Sequence, residues 1–221
     1  MIRHRLTSTL KYSVLACVVA VLSFSCCGYS NLFVPRDPGK DIRPGVLAVI
    51  SGGEGDADVK FAECLTEELR KNTTFQVMSQ DAIRRKAPGY PVPLIDGAAG
   101  KNNDDPFGTF PGNKAKLDAI QKQLKADYIY VVWIQNIKKT IEQTSTFGTT
   151  RVMMYQADGR ARLLQYPGGR IIAYTEVPGS EHPGLISSKK ESDYIESMMK
   201  QMALFVRTKF AEVTKSGKEA K

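Results

Sequence analysis

Histidine is nearly missing from this sequence, and cysteine is scarce. Two histidines occur among 221 residues, His4 at the start of an N-terminal leader and His182 in a loop rich in proline and glycine. A zinc site needs several nitrogen or sulfur ligands, and a Ser-His-Asp triad needs a histidine held between two partners. Once the leader is removed, one histidine satisfies neither arrangement, and no Cys-x-x-Cys spacing adds ligands. We therefore predict no metal, no cofactor and no catalytic residues.

The four cysteines also restrict the chemistry of the chain. Cys17 lies in the leader, Cys26 and Cys27 are adjacent, and Cys64 stands alone in a segment with helical periodicity. If the leader is removed on export and one cysteine of the adjacent pair carries a lipid, Cys64 has at most one disulfide partner. We predict that Cys64 is a buried free thiol, with a bond to the unmodified member of the pair as the alternative.

Long apolar runs are also missing, apart from the short one in the leader. Arg3, Arg5 and Lys11 precede an apolar run over 12–24, without an acidic residue between them. This run is shorter than the roughly 20 apolar residues that span a bilayer. A basic start followed by a short apolar stretch is typical of a secretory signal peptide, which we place at residues 1–25.

The leader ends in Ser25-Cys26-Cys27, which resembles the lipobox of bacterial lipoproteins. The resemblance implies a lipid on Cys26, with Cys27 as the alternative site. Ordinary cleavage and an uncleaved anchor are the competing interpretations. Acyl chains hold a folded domain at a membrane, because each buried methylene contributes about 0.8 kcal/mol. Since no aspartate follows the cysteine, the resemblance favours the periplasmic face of the outer membrane over the inner membrane.

Charge of one sign does not dominate the mature chain. The whole sequence carries +8, and residues 1–25 contain three basic and no acidic residues, so +5 remains. The lysines are not clustered in the stripe that nucleic-acid binders present, so we predict no nucleic-acid partner. Residues 214–221, a short basic tail, are typical of a solvated chain end.

Apolar periodicity predicts one mixed α/β domain over residues 45–213, after a tether over 26–44. We expect about five strands in one sheet, covered by about three helices, the last of them C-terminal. The strand candidates are 46–51, 75–78, 128–134, 150–156, 160–166 and 170–177, and the helix candidates are 59–70, 114–125 and 191–213. Asp158-Gly159 predicts a hairpin turn between two of these strands. Leu65 and Leu124 are expected on buried helix faces.

A glycine-rich stretch over 51–56 follows the first strand and precedes a helix, as phosphate-binding loops do. It lacks the Lys-Ser/Thr ending of a P-loop and the spacing of a dinucleotide site. Glu54 and Asp56 would repel a phosphate. We therefore favour a structural turn over a nucleotide site.

Residues 87–113 are irregular and rich in proline and glycine. Loops of this length are uncommon unless they are functional or disordered. We predict that Tyr90, Phe107 and Phe110 contact a partner, because exposed aromatic residues are suited to anchor interfaces. The alternative is that these rings pack back onto the domain. The acidic residues in the loop lack the alternating spacing of a calcium site.

Several short motifs resemble a family of periplasmic domains. They are the lipoprotein leader, the strand over 46–50 with its helix, Phe75-Gln76-Val77, Ala126-Asp127-Tyr128-Ile129, and Ala161-Arg162-Leu163-Leu164 before Gly168-Gly169. Together they resemble the domain shared by CsgG-type secretion lipoproteins, penicillin-binding-protein activator lipoproteins and the TolB N-terminal domain. Residues 87–113 depart from that pattern. The segment 137–150 is expected to be too short for pore-forming hairpins.

Two classes of function fit these observations. The first is a non-catalytic binding or assembly module, monomeric or oligomeric, that docks an envelope or secretion protein while anchored by lipid. The second is an envelope hydrolase, which would need paired carboxylates or a nucleophile beside a base. The acids near the turns have no spacing that would pair them. We therefore favour the binding module.

Overall fold

The first strand lies inside the sheet, between two neighbouring strands. In a computed structural model that describes residues 42–94, 114–144, 150–181 and 190–219, β1 spans Val46–Ser51. It pairs in parallel with β2 (Gln76–Val77) on one side and with β3 (Tyr128–Thr144) on the other. Residues 47–51 are buried, as expected for a strand that is apolar on both faces and flanked by neighbours.

The remaining strands add antiparallel pairs. β4 (Thr150–Gln165) pairs with β3, and β5 (Arg170–Glu181) pairs with β4, so the sheet has the order β2-β1-β3-β4-β5. The turn between β4 and β5 places Gly168 and Gly169 at φ angles of 104° and 65°. Side chains other than glycine rarely adopt such angles. The prediction of one mixed sheet is confirmed.

Four helices occur in the described residues, whereas the sequence predicts about three. They are α1 (Asp56–Asn72), α2 (Gln80–Lys86), α3 (Lys114–Leu124) and α4 (Glu191–Glu219). α1 and α4 pack on the sheet face that carries Leu47 and Val49, and α2 and α3 pack on the opposite face. Leu65 and Leu124 are buried, as their helical periodicity predicts. α4 continues past Val213 into the segment predicted as a basic tail.

α4 lies very close to the strands beneath it. Met198, Met199 and Met202 are fully buried and form part of the core. A Cβ atom at Gly159 of β4 would collide with the end of the Met202 side chain, and one at Gly179 of β5 would lie 2.6 Å from the Met202 sulfur. These two glycines therefore make room for the methionines.

The predicted hairpin turn at Asp158-Gly159 is wrong. Residues 157–159 lie inside one continuous strand, β4, where Asp158 pairs with Asn136 on β3 and with Pro178 on β5. Pairing on both sides and contact with α4 outweigh the local turn preference of the two residues. β3 likewise continues past Ile134 to Thr144, so the two strands form a much longer hairpin than the sequence indicates.

All described residues belong to one compact unit, Leu32–Lys221. The predicted leader and most of the tether lie outside the described residues, as does the greater part of the 87–113 loop.

Candidate functional site: the projecting hairpin and its base

β3 and β4 extend beyond the end of β1, the parallel neighbour of β3. The last residue of β1, Ser51, pairs with Val132, whereas the β3–β4 pairing continues from Asn136↔Asp158 to Thr144↔Thr150. We call residues 136–144 and 150–158 the projecting hairpin. β5 accompanies it as far as the pair Tyr155↔Glu181. Beyond that pair, the hairpin has two strands among the described residues.

Asp58 in the first turn of α1 holds the point where the hairpin leaves the sheet. Its Oδ1 accepts a hydrogen bond from the Ile134 backbone N–H at 2.6 Å, next to the irregular register between Ile134 and Asn136. Burial raises the pKa of the Asp58 carboxyl, while hydrogen bonds from the backbones of Ile134 and Gly55 act in the opposite direction. The carboxyl therefore links the start of α1 to β3.

The same carboxyl explains the glycine-rich turn before α1. A Cβ atom at Gly53 would lie 2.5 Å from Asp58 Oδ2, and one at Gly55 would lie 2.9 Å from it. The chain's own carboxyl thus occupies the helix N-terminus, where a bound phosphate would accept backbone hydrogen bonds. This geometry supports the interpretation of residues 51–56 as a structural turn.

On the α4 face, the base of the hairpin is attached to the first turns of α4. Lys139 Nζ lies 3.1 Å from Glu191 Oε2 and 5.3 Å from the centroid of the Tyr155 ring. The Tyr155 ring stacks on Tyr194, with centroids 5.8 Å apart. Hydrogen bonds to Tyr155 and Glu191 raise the pKa of Lys139, so its charge persists throughout the physiological range.

On the opposite face, two buried arginines lie beside aromatic rings. Arg160 and Arg162 are 4% and 6% exposed. The Arg162 guanidinium carbon lies 5.1 Å from the Trp133 ring centroid and 5.6 Å from that of Tyr174. Arg160 lies 5.9 Å from the Tyr174 centroid and 3.8 Å from Glu176. Such distances give favourable cation–π contacts. We call these residues the arginine–aromatic cluster.

The sequence contained a signal for this cluster. Arg160, Ala161 and Arg162 alternate in charge and size along one strand, which places both guanidinium groups on one face of the sheet and the alanine on the other. Their packing against Trp133 and Tyr174 depends on the register of three strands, which no local pattern specifies. The cluster and the Lys139 contacts together hold the base of the hairpin from both faces.

Tyr90 is buried, so the exposure on which its predicted partner contact rests is wrong. Its side chain is 6% exposed and belongs to the core on the α2 and α3 face. The hydroxyl accepts a hydrogen bond from the Ser51 backbone N–H at 2.8 Å and donates one to Gln80 Oε1 at 3.4 Å. Burial raises its pKa to about 12. For Tyr90 the alternative holds, because the ring fastens the start of the loop to the domain.

The other predicted site residues have mixed outcomes. Cys26, Cys27, Phe107, Phe110 and His182 lie outside the described residues. Cys64 is a buried free thiol, as predicted, and burial raises its pKa to about 11. Within the described ranges, the acidic, histidine and cysteine side chains form no group that could hold a metal ion. No helix in that part of the chain has both the length and the apolar character needed to cross a bilayer.

Comparison with known proteins gives distant structural likenesses only. No protein-family model and no curated protein match the chain. Lipoprotein GNA1162 from Neisseria meningitidis is 9% identical over 77% of this chain and 99% of its own, with a TM-score of 0.44. The minor lipoprotein from Acinetobacter baumannii is 9% identical over 76% and 92%, with a TM-score of 0.40. The PelC dodecamer from Paraburkholderia phytofirmans is 12% identical over 74% and 90%, with a TM-score of 0.36. Likenesses this distant assign neither a family nor a function.

Proposed function

We propose that the protein is a lipid-anchored envelope lipoprotein that acts as a non-catalytic binding or assembly module for an envelope or secretion partner. The signal peptide and Ser25-Cys26-Cys27 support the anchor. The lipid is on Cys26, or alternatively Cys27, and the domain faces the periplasm from the outer membrane. The projecting hairpin is the contact surface.

The length of the hairpin carries this proposal. A two-stranded ribbon outside the core buries little apolar area and is only marginally stable alone. Here both faces of its base nevertheless pack against the domain, through the buried stack of Tyr155 on Tyr194 on one side and the arginine–aromatic cluster on the other. A rigid base beneath a projecting ribbon is suited to present that ribbon to a partner.

The composition of the hairpin favours contact through side chains rather than addition of a strand. Asn136, Lys138 and Lys139 are exposed, and Ile137 is 37% exposed. Lysines and an irregular register are features with which edge strands avoid pairing with other chains. We therefore propose that the hairpin meets an acidic surface that also offers an apolar contact for Ile137.

The resemblance to CsgG-type, penicillin-binding-protein activator and TolB N-terminal domains forms part of the proposal. Asp127 of the Ala126-Asp127-Tyr128 motif supports it through a structural role. Its Oδ2 accepts a hydrogen bond from the Val46 backbone N–H at 2.8 Å, and a Cβ atom at Gly45 would lie 2.7 Å from it. The motif thus aligns the starts of β1 and β3 in this chain.

A site-specific photo-crosslinker tests the contact surface in intact cells. Placed at Ile137, it should give a discrete adduct, and Lys138→Glu should weaken that adduct by introducing like-charge repulsion. A crosslinker at Lys122, an exposed residue of α3, and Lys122→Glu serve as matched controls. Equal adducts at both positions, or an Ile137 adduct unaffected by Lys138→Glu, would contradict the proposed surface.

A further inference from the structure

An open groove lies where the described chain begins. It has a volume of about 210 Å³ and is lined by Ile42 and Pro44, by residues 72–75 between the end of α1 and β2, and by side chains within 207–214 of α4. Its inner wall includes the rings of Phe75 and Phe210, which meet edge to face with centroids 5.1 Å apart. The side of α4 that lines it includes Ala211, a side chain too small to fill the space.

Most of the exposed surface of the groove is apolar, and its lining includes one charged residue, Arg207, and four polar ones, Asn72, Thr73, Thr74 and Thr214. Arg207 lines it and lies 3.6 Å from Glu68 of α1, so its charge is already compensated in part. An apolar groove that is open to water stabilises the protein only when apolar groups occupy it. The chain that enters the domain at its edge is the nearest source of such groups.

The tether has one apolar block. Residues 26–41 contain Leu32-Phe33-Val34 among polar, proline and glycine residues, and Asp37-Pro38-Gly39 follows the block with a sequence typical of a turn. Eight residue steps separate Val34 from Ile42. They reach about 27 Å when extended, so a chain that reverses at Pro38-Gly39 can bring the block back to the groove.

We propose that Leu32-Phe33-Val34 docks into the groove beside Phe75 and Phe210. The proposal goes beyond the contact made by the hairpin. Docking changes the reach of the anchor. The sixteen residues 26–41 would span about 55 Å if free, whereas docking at Leu32 leaves six residue steps and about 20 Å. This consequence rests on the proposed lipid anchor: with it in place, docking holds the domain close to the membrane and restricts the range of positions of the hairpin.

Trypsin cleavage of the tether tests the docking on the full chain, processed by its own cells and then purified. Arg36 and Lys40 are cleavage sites in the segment next to the block. Because proteases cut the undocked form, the rate of tether cleavage reports the undocked population. Phe33→Ser removes the central apolar residue, and Ala211→Trp fills the groove. Tyr29→Ser in the tether and Ala115→Trp on the exposed side of α3 are the matched controls.

We expect Phe33→Ser and Ala211→Trp each to accelerate tether cleavage about tenfold, with the domain left intact on a gel. The double variant should be cleaved no faster than either single variant, since both remove the same contact. Both controls should be cleaved at the original rate. Phe33→Ser leaves the domain itself unchanged, so it remains informative if Ala211→Trp impairs folding. An unchanged rate for Phe33→Ser, or effects that multiply in the double variant, would overturn the proposal. An effect of Ala211→Trp alone would assign the groove to another occupant and would also overturn it. None of these outcomes depends on a hairpin partner.

Discussion

At the scale of single residues, Asp58 connects three parts of the molecule. It lies in the first turn of α1 and accepts a hydrogen bond from Ile134 at the exit of the hairpin. Its Oδ2 also lies 2.5 Å and 2.9 Å from the positions that Cβ atoms would take at Gly53 and Gly55. An acidic residue near a helix N-terminus interacts favourably with the helix dipole. Burial nevertheless raises its pKa above the ordinary value of 3.8, so desolvation is the larger effect here.

The raised pKa of Asp58 predicts how stability depends on pH. Because the folded state binds this proton more tightly than the unfolded state does, the resulting stabilisation is fully present below the ordinary pKa of 3.8. It is lost as the pH rises through the raised folded pKa. In Asp58→Asn the neutral amide removes this pH-dependent stabilisation, and its oxygen can still accept the hydrogen bond from the Ile134 N–H. The wild type should therefore gain stability relative to Asp58→Asn as the pH falls from 7 to 3.

Chemical denaturation across that pH range measures the difference between the two proteins. Asp58→Ala provides the comparison, because it loses the hydrogen bonds at every pH and should cost about 1–2 kcal/mol at pH 7. If the wild type instead gains on Asp58→Asn as the pH rises, the folded pKa is lowered and burial is not the dominant influence.

At the scale of secondary-structure elements, the approach of α4 to the sheet depends on two glycines. A Cβ atom at Gly179 would lie 2.6 Å from Met202 Sδ and 2.8 Å from Met198 Cγ. Gly179→Ala should therefore destabilise the fold by about 1–3 kcal/mol, since extra volume in a packed core forces side chains out of their preferred rotamers.

Gly89→Ala is the matched control for this packing, because a Cβ atom there meets nothing within 4 Å. The free energy of unfolding of each variant would be measured by denaturant titration. The double variant Gly179→Ala/Met202→Ala should be destabilised by less than the sum of the two single changes, because the shorter side chain leaves room for the added Cβ atom. Equal stability of the Gly179→Ala and Gly89→Ala proteins would show that α4 lies farther from β5 than the structure places it.

Those same elements show which parts of the fold the sequence specifies. β1, α1, α3 and α4 follow from periods that each segment carries by itself, such as Phe61, Leu65 and Leu69 on one side of α1. The continuity of β4 does not follow from its sequence. Gly159 packs against Met202, which lies on a helix that is distant along the chain. Local preferences predict elements, whereas contacts between elements determine where long strands continue.

The candidate site was harder to predict for the same reason. The sequence around Tyr90 has the composition of an exposed loop. Its hydroxyl nevertheless forms hydrogen bonds with Ser51 at the end of β1 and with Gln80 of α2. The arginine–aromatic cluster requires β3, β4 and β5 in their correct register. A polar residue that satisfies a buried backbone group becomes recognisable only when the fold brings that group beside it.

At the scale of the whole molecule, the proposed lipid anchor would determine where the domain acts. Arg3, Arg5 and Lys11, the short apolar run and Ser25-Cys26 predict export and lipid attachment. One lipid chain binds a membrane only marginally, so stable attachment requires more than one. The hairpin and the groove would then operate within the short distance from the bilayer that the tether allows.

Replacing Cys26, the cysteine predicted to carry the lipid, tests this arrangement. Cys26→Ala should release the protein from the membrane fraction or leave an uncleaved precursor, because the thiol that carries the lipid is absent. Cell fractionation, combined with the mass of the mature N-terminus, measures both results. Cys27→Ala is the matched control and should leave anchoring unchanged. If Cys27→Ala alone releases the protein, the lipid is on the second cysteine. If neither change alters fractionation or processing, the proposed lipid anchor is wrong. The reach of about 20 Å set by a docked tether would then no longer be a distance from the membrane.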